Sequence, residues 1–414
     1  MFTLVTCLIA MALVAGISWW MSRGSTSDSD GYFLAGRNLG GVFIAGSLLL
    51  TNLSAEQLIG LNGSAYGYNL SSMAWEVTAA VATIAMALIF LPKYLAGAFT
   101  TLPRFLADRY DTQVQQMSAV LFLLGYGLVT IPSVLYSGYF KVFVPFLMMV
   151  PGVIAYHLYG PGLSTIDLAY PTLIRDLLPP ALMGFFLAVL LGAVFSSFNS
   201  LINSGATLFC LDILPAMRKE PLADAATVKL AKVVSTIIAV FSFAVAPLLY
   251  FAPEGLWQII RIFTGFYNIP VITIVLVGLF TRNVPAIGAK LVIVFHVIAY
   301  GLAKFAFDDV ITLHFLHLYA VLFVIEVAIM LAAAKLAPRQ TPWTFTPQVR
   351  TDMTPWRFAM PVAVTLMSAV IATYVLFSPI GLANGQLGLA FWGSISGLAV
   401  INAIAWFFPK QSKA

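Results

Sequence analysis

Apolar runs of about 20 residues recur from one end of the chain to the other, separated by short polar breaks. They fall at 2–21, 41–65, 73–95, 117–137, 142–159, 181–205, 228–251, 265–281, 286–305, 315–336, 357–377 and 386–408. A helix of that length crosses the hydrocarbon layer of a bilayer. Only helices and closed barrels satisfy their backbone in lipid, and continuous apolar runs mean helices. The pattern predicts an all-α polytopic membrane protein of about 11–12 transmembrane helices, with 1–414 forming a single transmembrane domain. The run 2–21 has no basic stretch before it and more spans after it, so it reads as a first helix rather than a secretory leader. The longest polar break, roughly 337–356, reads as a cytoplasmic loop.

Composition agrees with the pattern. The chain is 61% hydrophobic and 9% charged, against about 25% charged in soluble proteins. Its net charge of +5 would raise nucleic acid as a partner in a soluble protein. Here Lys and Arg cluster between spans, so they orient the helices in the bilayer instead. Arg23 and Arg37 follow the first span, Lys93, Arg104 and Arg109 the third, and Arg218, Lys219, Lys229 and Lys232 the sixth. Arg282 follows the eighth, Lys335, Arg339 and Arg350 the tenth, and Lys410 and Lys413 the last. This alternation places the N-terminus outside and the C-terminus in the cytoplasm.

The middle of the chain breaks the alternation. The basic loops near 104 and 218 should share one side, which requires an even number of spans between them, yet three runs lie there. Two of those runs are joined by LYSGYFKVF with almost no loop and with Lys141 at the seam. Either one run does not cross, or one loop departs from the charge rule, or an odd number of spans has been lost. The loss is the reading adopted.

No phosphate loop, nucleophile elbow or HExxH motif is present, so enzymatic function is not expected. His314 and His317 form an i, i+3 pair without a third ligand and read as interfacial residues. Cys7 and Cys210 lie in apolar segments and read as packing residues. Polar groups at membrane depth are more telling, because they are costly there and face a bundle interior or a wet cavity. Glu56, Glu76 and, if buried, Lys141 are such groups. The second span carries Thr51, Asn52, Ser54, Glu56 and Gln57, then Gly60, Gly63 and Gly67. This stretch is either a kinked helix whose hydroxyls bond back to their own turn, or an unwound one whose carbonyls coordinate a cation. In the sixth span Ala193, Ser196, Ser197 and Ser200 share one helix face. That face suits close helix packing or a hard monovalent cation needing several neutral oxygens.

At these residues the chain resembles the sodium:solute symporter family, which includes the sodium/galactose and sodium/glucose symporters. The matching stretches are YFLAGRNLG (32–40), SLLLTNLSAEQLIGLNGSAYGYN (47–69), TLPRFLADRYD (101–111), FVPFLMMVPGVIAYHLYG (143–160), AYPTL (169–173), AVFSSFNSLINSGATLF (193–209) and GLFTRNVPAIGAK (278–290). The resemblance implies a LeuT-type fold of two inverted repeats with flanking helices. By it, 1–138 matches the N-terminal core helices, 140–305 the second repeat, and 306–414 additional helices. It implies a sodium site from the backbone carbonyls of Leu50, Leu53 and Ala193 with the hydroxyls of Ser196 and Ser197. It maps solute-contacting positions onto Gln57, Glu76, Lys141 and Arg261, the last standing where a sugar-contacting Gln is expected, which counts against galactose. The family also places three core helices, the fourth to sixth of ten, between SVLYSG (133–138) and FKVFVPF (140–146), where this chain has almost nothing. The fold is therefore expected to be incomplete.

The resulting expectation is a secondary transporter in the plasma or inner membrane that couples a small, sugar-like polar solute to sodium and is impaired by the missing helices. Lipid, solute and sodium are its expected partners. Nucleic acid and any cofactor beyond the coupling ion are not expected. A defective, non-transporting membrane protein is the alternative. A passive channel is a weaker one, since no charge ring or filter motif is present.

Overall fold

The computed structural model describes residues 2–21, 56–97, 102–122, 141–217, 223–247, 256–345 and 356–407. Among these, nine helical stretches are long and apolar enough to cross a membrane, and no strand occurs. In chain order the helices used below are α1 (Phe2–Met21), α2 (Leu61–Tyr68), α3 (Leu102–Arg109) and α4 (Thr112–Phe122). They continue with α5 (Lys141–Tyr159), α6 (Pro180–Leu208), α7 (Asp224–Val245) and α8 (Leu256–Phe280). The last are α9 (Ala286–Gly301), α10 (Phe315–Leu336), α11 (Ala359–Leu376) and α12 (Leu389–Phe407).

Local chemistry explains most boundaries. Pro180 opens α6, where its missing N–H costs nothing. Gly160 at φ +60° ends α5. His314 caps α10 by accepting from the Leu316 amide. Its ring lies 6.3 Å from that of His317, and no group of three or more His, Cys, Asp or Glu is placed to hold a metal among the described residues.

Two elements differ from the sequence expectation. A polar break was expected between runs ending at 65 and starting at 73. The helical path instead continues over Glu56–Tyr94 with a kink at Asn69, whose φ is +56° and whose side chain accepts from the Leu70 amide. Asn tolerates this left-handed region better than other side chains do. The run expected at 265–281 begins earlier, at Leu256, because Trp257, Gln258 and Arg261 dilute the hydropathy yet are taken up inside the protein, Trp257 and Gln258 buried and Arg261 paired with Glu56. Of the expected run 117–137 only the part to Phe122 is described, and the seam at 138–140 lies outside the described residues.

The helices pack into an inner group and an outer one. α2 packs on α5, and α8, α9 and α10 pack on one another. The π-helical turn Glu56–Gly60 that leads into α2 packs on α8. The core at their junction contains Leu61, Val77, Met149, Trp257, Tyr300 and Tyr319. α6 packs on α1 and α7, and α12 on α11. These outer helices present Phe195, Phe241 and Ile404 outward, as lipid-facing residues should be. Two glycines set close crossings. A Cβ on Gly152 of α5 would stand 2.1 Å from the Asn62 carbonyl oxygen of α2, and one on Gly60 would stand 2.9 Å from Trp257 Cβ.

One end of the inner group is locked by Arg109. It is fully buried and donates to the carbonyls of Gly278 (2.7 Å), Thr281 (3.1 Å) and Val284 (3.3 Å) in the turn joining α8 to α9. Tyr110 donates to the Ile274 carbonyl at 2.9 Å, and Arg339 donates to the Arg109 carbonyl at 2.6 Å. Five donors in a rigid fork let one guanidinium satisfy several helix-end carbonyls that would otherwise be orphaned.

Candidate functional site

The polar residues of the second span enter the structure through the π turn Glu56–Gly60. A π turn carries an extra residue per turn, and such turns are frequent at functional sites. Its last residue, Gly60, lies against the start of α8, so the two backbones approach closely enough for the side chains beyond to meet.

There, side chains from three helical stretches, Glu56–Tyr94, α5 and α8, form one buried polar cluster. Glu76 is 1% exposed. Its Oε2 accepts from Lys141 Nζ at 2.7 Å, and its Oε1 accepts from Gln57 Nε2 at 3.2 Å with the Arg261 guanidinium 3.6 Å away. Arg261 also pairs with Glu56. Its guanidinium lies over the rings of Trp75 and Trp257, at 5.0 and 5.6 Å from their centroids, a cation–π arrangement that stabilises a charge taken out of water. Two carboxylates and two cations balance, which is what a buried ionic group requires.

Three polar atoms of this cluster have no hydrogen-bond partner among the described residues. They are Gln57 Oε1, Trp257 Nε1 and Arg261 Nε, one acceptor and two donors. Buried polar atoms are ordinarily paired, so such a group calls for an explanation. Together they leave one acceptor and two donors in the bonding scheme for a molecule that both donates and accepts.

Arg261 is held from behind through its backbone. Tyr319 of α10 donates to its carbonyl, and Tyr300 of α9 donates to the Ile262 carbonyl at 2.9 Å. One turn on, His296 of α9 bonds the Gly265 carbonyl at 3.0 Å. Gly265 has no room for a Cβ, which would fall 2.2 Å from Tyr319 Oη.

Sequence reasoning thus named four residues, Gln57, Glu76, Lys141 and Arg261, that the structure brings into contact. It passed over Trp75, which carries no polar signal in an apolar run, and Trp257, which falls between two expected runs. It passed over His296 and Glu326 too, although both sit inside spans and the rule that singles out Glu56 applies equally to them. The other named set is divided. Leu50 and Leu53 lie outside the described residues. Ala193, Ser196 and Ser197 follow the more covered face of α6, with Ser197 buried and Val194 and Phe195 exposed beside them. That helix packs on α1 and α7.

Comparison with known proteins places this geometry in context. The Sodium:solute symporter family matches at residues 32–144 and again at 126–295. The two matches overlap around the fused stretch, as two pieces of one longer pattern would if brought together. The chain is 30% identical to the "Uncharacterized symporter YidK" of Escherichia coli (strain K12), covering 89% of this chain and 90% of that one. That alignment runs over 519 positions but takes in 89% of this chain's 414 residues, about 368, so about 151 positions (519 − 368) have no residue of this chain opposite them and the shortening relative to YidK lies inside the aligned region. The chain is also 31% identical to a "Sodium/glucose cotransporter" of Vibrio parahaemolyticus over 169 residues, 38% of this chain and 31% of that one. Among solved structures it resembles a Na+-coupled sialic acid symporter in a substrate-bound outward-open state, with a TM-score of 0.69 at 14% identity, covering 83% of this chain and 99% of the other. At that identity the likeness shows the fold, the LeuT type.

Proposed function

The chain belongs to the sodium:solute symporter family, and from that premise we propose that it carries the solute site of a sodium-coupled symporter for a small, neutral, sugar-like solute, with transport impaired by the internal shortening. One observation carries the reading. Gln57, Glu76, Lys141 and Arg261, distant in sequence, meet in a charge-balanced cluster that leaves one acceptor and two donors open. A polyol offers hydroxyls that donate to Gln57 Oε1 and accept from Trp257 Nε1 and Arg261 Nε. Because both carboxylates already face both cations, a neutral solute binds without breaking an ion pair, whereas an ionic one must displace a partner at high cost.

The coupling ion in this reading is sodium. It is held by the carbonyls of Leu50, Leu53 and Ala193 and the hydroxyls of Ser196 and Ser197, all neutral oxygens. Sodium stabilises an outward-open state that admits solute, and both leave toward the cytoplasm, with the N-terminus outside and the C-terminus inside. Impairment follows from the internal shortening. By family resemblance the missing length holds the core helix that faces the solute site, and about 151 of the 519 positions aligned with YidK (519 − 368) have no residue of this chain opposite them.

Reconstitution into proteoliposomes tests both parts. Radiolabelled glucose is offered under an inward sodium gradient beside the sodium/glucose cotransporter of Vibrio parahaemolyticus. The expected result is sodium-dependent binding, read by quenching of tryptophan emission, with uptake far below that of the reference cotransporter. Uptake at the reference rate sinks the impairment claim. Flux that ignores sodium replaces the symporter reading with a pore. Absence of any sodium- or solute-dependent signal replaces it with a non-transporting membrane protein.

A further inference from the structure

Behind the solute cluster, and separate from it, α8, α9 and α10 enclose a second ionisable group at membrane depth. His296 and Glu326 are both 0% exposed, and His296 Nδ1 lies 2.5 Å from Glu326 Oε1. The other imidazole nitrogen, Nε2, lies 3.0 Å from the Gly265 carbonyl oxygen. Thr273 Oγ1 lies 2.7 Å from Glu326 Oε2 and 2.9 Å from the Ile269 carbonyl.

With the single Thr273 hydrogen given to Glu326 Oε2, the shorter of its two contacts, hydrogen-bond valence sets the proton content of this group. A carbonyl oxygen only accepts, so Nε2 carries a hydrogen. Two bare lone pairs repel at the Nδ1–Oε1 distance, so a further proton lies between those atoms. It resides on Nδ1 as an imidazolium–carboxylate pair or on Oε1 as a neutral imidazole–acid pair. Either way the unit holds one proton more than neutral imidazole plus carboxylate. Losing it, by transfer to solvent water, leaves a buried carboxylate against a bare nitrogen.

Among the described residues the neighbours supply no alternative counter-charge. α9 contributes Tyr300, whose ring stacks on His296 at 5.5 Å. α10 contributes Tyr319, reached through Tyr300 at 3.5 Å. α8 contributes the Thr273 hydroxyl and the Gly265 carbonyl, with Arg261 one turn further along and engaged with Glu56 and Glu76. Lys290, the charge at the start of α9, is held at that end by Asp111 and Gln113, each at 2.6 Å. His314, His317 and Lys335 lie near the ends of α10.

We propose that His296 and Glu326 form a buried binding site for one proton, and that its occupancy seats α8 and with it Arg261. The connection is through the backbone. His296, Tyr300 and Tyr319 hold the carbonyls of Gly265, Ile262 and Arg261 respectively. α8 contains Pro270, which removes the amide that would bond the Phe266 carbonyl and favours a bend just beyond these contacts. A helix weakened there depends on side-chain bonds from its neighbours for its position.

Counting protons tests the site without any solute. In the unfolded chain a histidine releases its proton near pH 6.5 and a glutamic acid near pH 4.3. SDS unfolding of the unbuffered, purified full chain at pH 8 should therefore release about one proton more per chain than the H296Q/E326Q double variant. At about pH 5.4, where the unfolded histidine keeps its proton, that difference should vanish. Equal release at pH 8 overturns the proposal. Should the double variant not fold, wild type labelled with 15N-histidine and 13C-glutamate reads the same question. At pH 8 one imidazolium or one carboxylic acid should persist, and the absence of both overturns the site. The seating of α8 has its own readout. Above the pH at which the proton leaves, the amides of 262–269 should exchange faster in wild type than in the double variant, and equal rates overturn that role.

Discussion

The Lys141–Glu76 pair permits a quantitative prediction. At 2.7 Å and an effective dielectric of about 20, the two charges attract by roughly 6 kcal/mol. Burying them costs several kcal/mol per ion, so the net gain over a well-packed apolar pair is near zero. Removing one partner is different, because the survivor stays buried without compensation, at a cost of about 3–5 kcal/mol. Lys141→Met leaves Glu76, 1% exposed, with only Gln57 and a guanidinium 3.6 Å away that also serves Glu56. Glu76→Gln leaves Lys141 without a carboxylate. Each single variant should lose about 3 kcal/mol, and the double variant should lose clearly less than the sum, with a coupling of about 2 kcal/mol. The assay is reversible SDS unfolding followed by helical circular dichroism, run on wild type, both single variants and the double variant. Additive losses would refute the claim that these residues act as one buried electrostatic unit.

Two further variants test the packing. Gly152→Ala places a Cβ 2.1 Å from the Asn62 carbonyl oxygen and should cost about 3 kcal/mol in the same unfolding assay, whereas Gly393→Ala, with nothing within 4 Å, should be neutral or gain up to about 1 kcal/mol. Arg109→Lys keeps the charge but offers one ammonium to three carbonyls spread over Gly278, Thr281 and Val284. It should cost about 3 kcal/mol and speed proteolysis in the turn between α8 and α9; unchanged cleavage there would show that the fork is not what holds that turn.

How far the fold was legible depended on the element. The run at 315–336 coincides with α10 at both ends because its residues are apolar apart from Glu326 in the middle and His317 and Lys335 near the ends, and its caps are local. The start of α8 was not legible, since Trp257, Gln258 and Arg261 look like loop residues until Gly60, Glu56 and Trp75 stand opposite them. Glu56 and Glu76 were legible as costly intrusions into lipid. That Glu76 shares a site with Lys141 and Arg261 was legible only through family resemblance, and that Glu56 meets Arg261 was not legible at all, because no local pattern links positions 65 and 205 residues apart. The pairing of His296 with Glu326 across 30 residues left no periodic trace either, and each alone looked like an isolated polar residue in an otherwise apolar span.

The charge balance of the solute cluster has an electrical consequence. A membrane potential does work of about 2.3 kcal/mol per 100 mV on each elementary charge that crosses the full field. Glu56 and Glu76 offset Lys141 and Arg261, so moving the cluster across the field does no net work on these four groups taken together. Voltage then acts through whatever the cluster carries beyond itself. Under the proposed symport of a neutral solute, the charge transferred per turnover would equal the number of sodium ions, and current measured against uptake would read the coupling ratio directly.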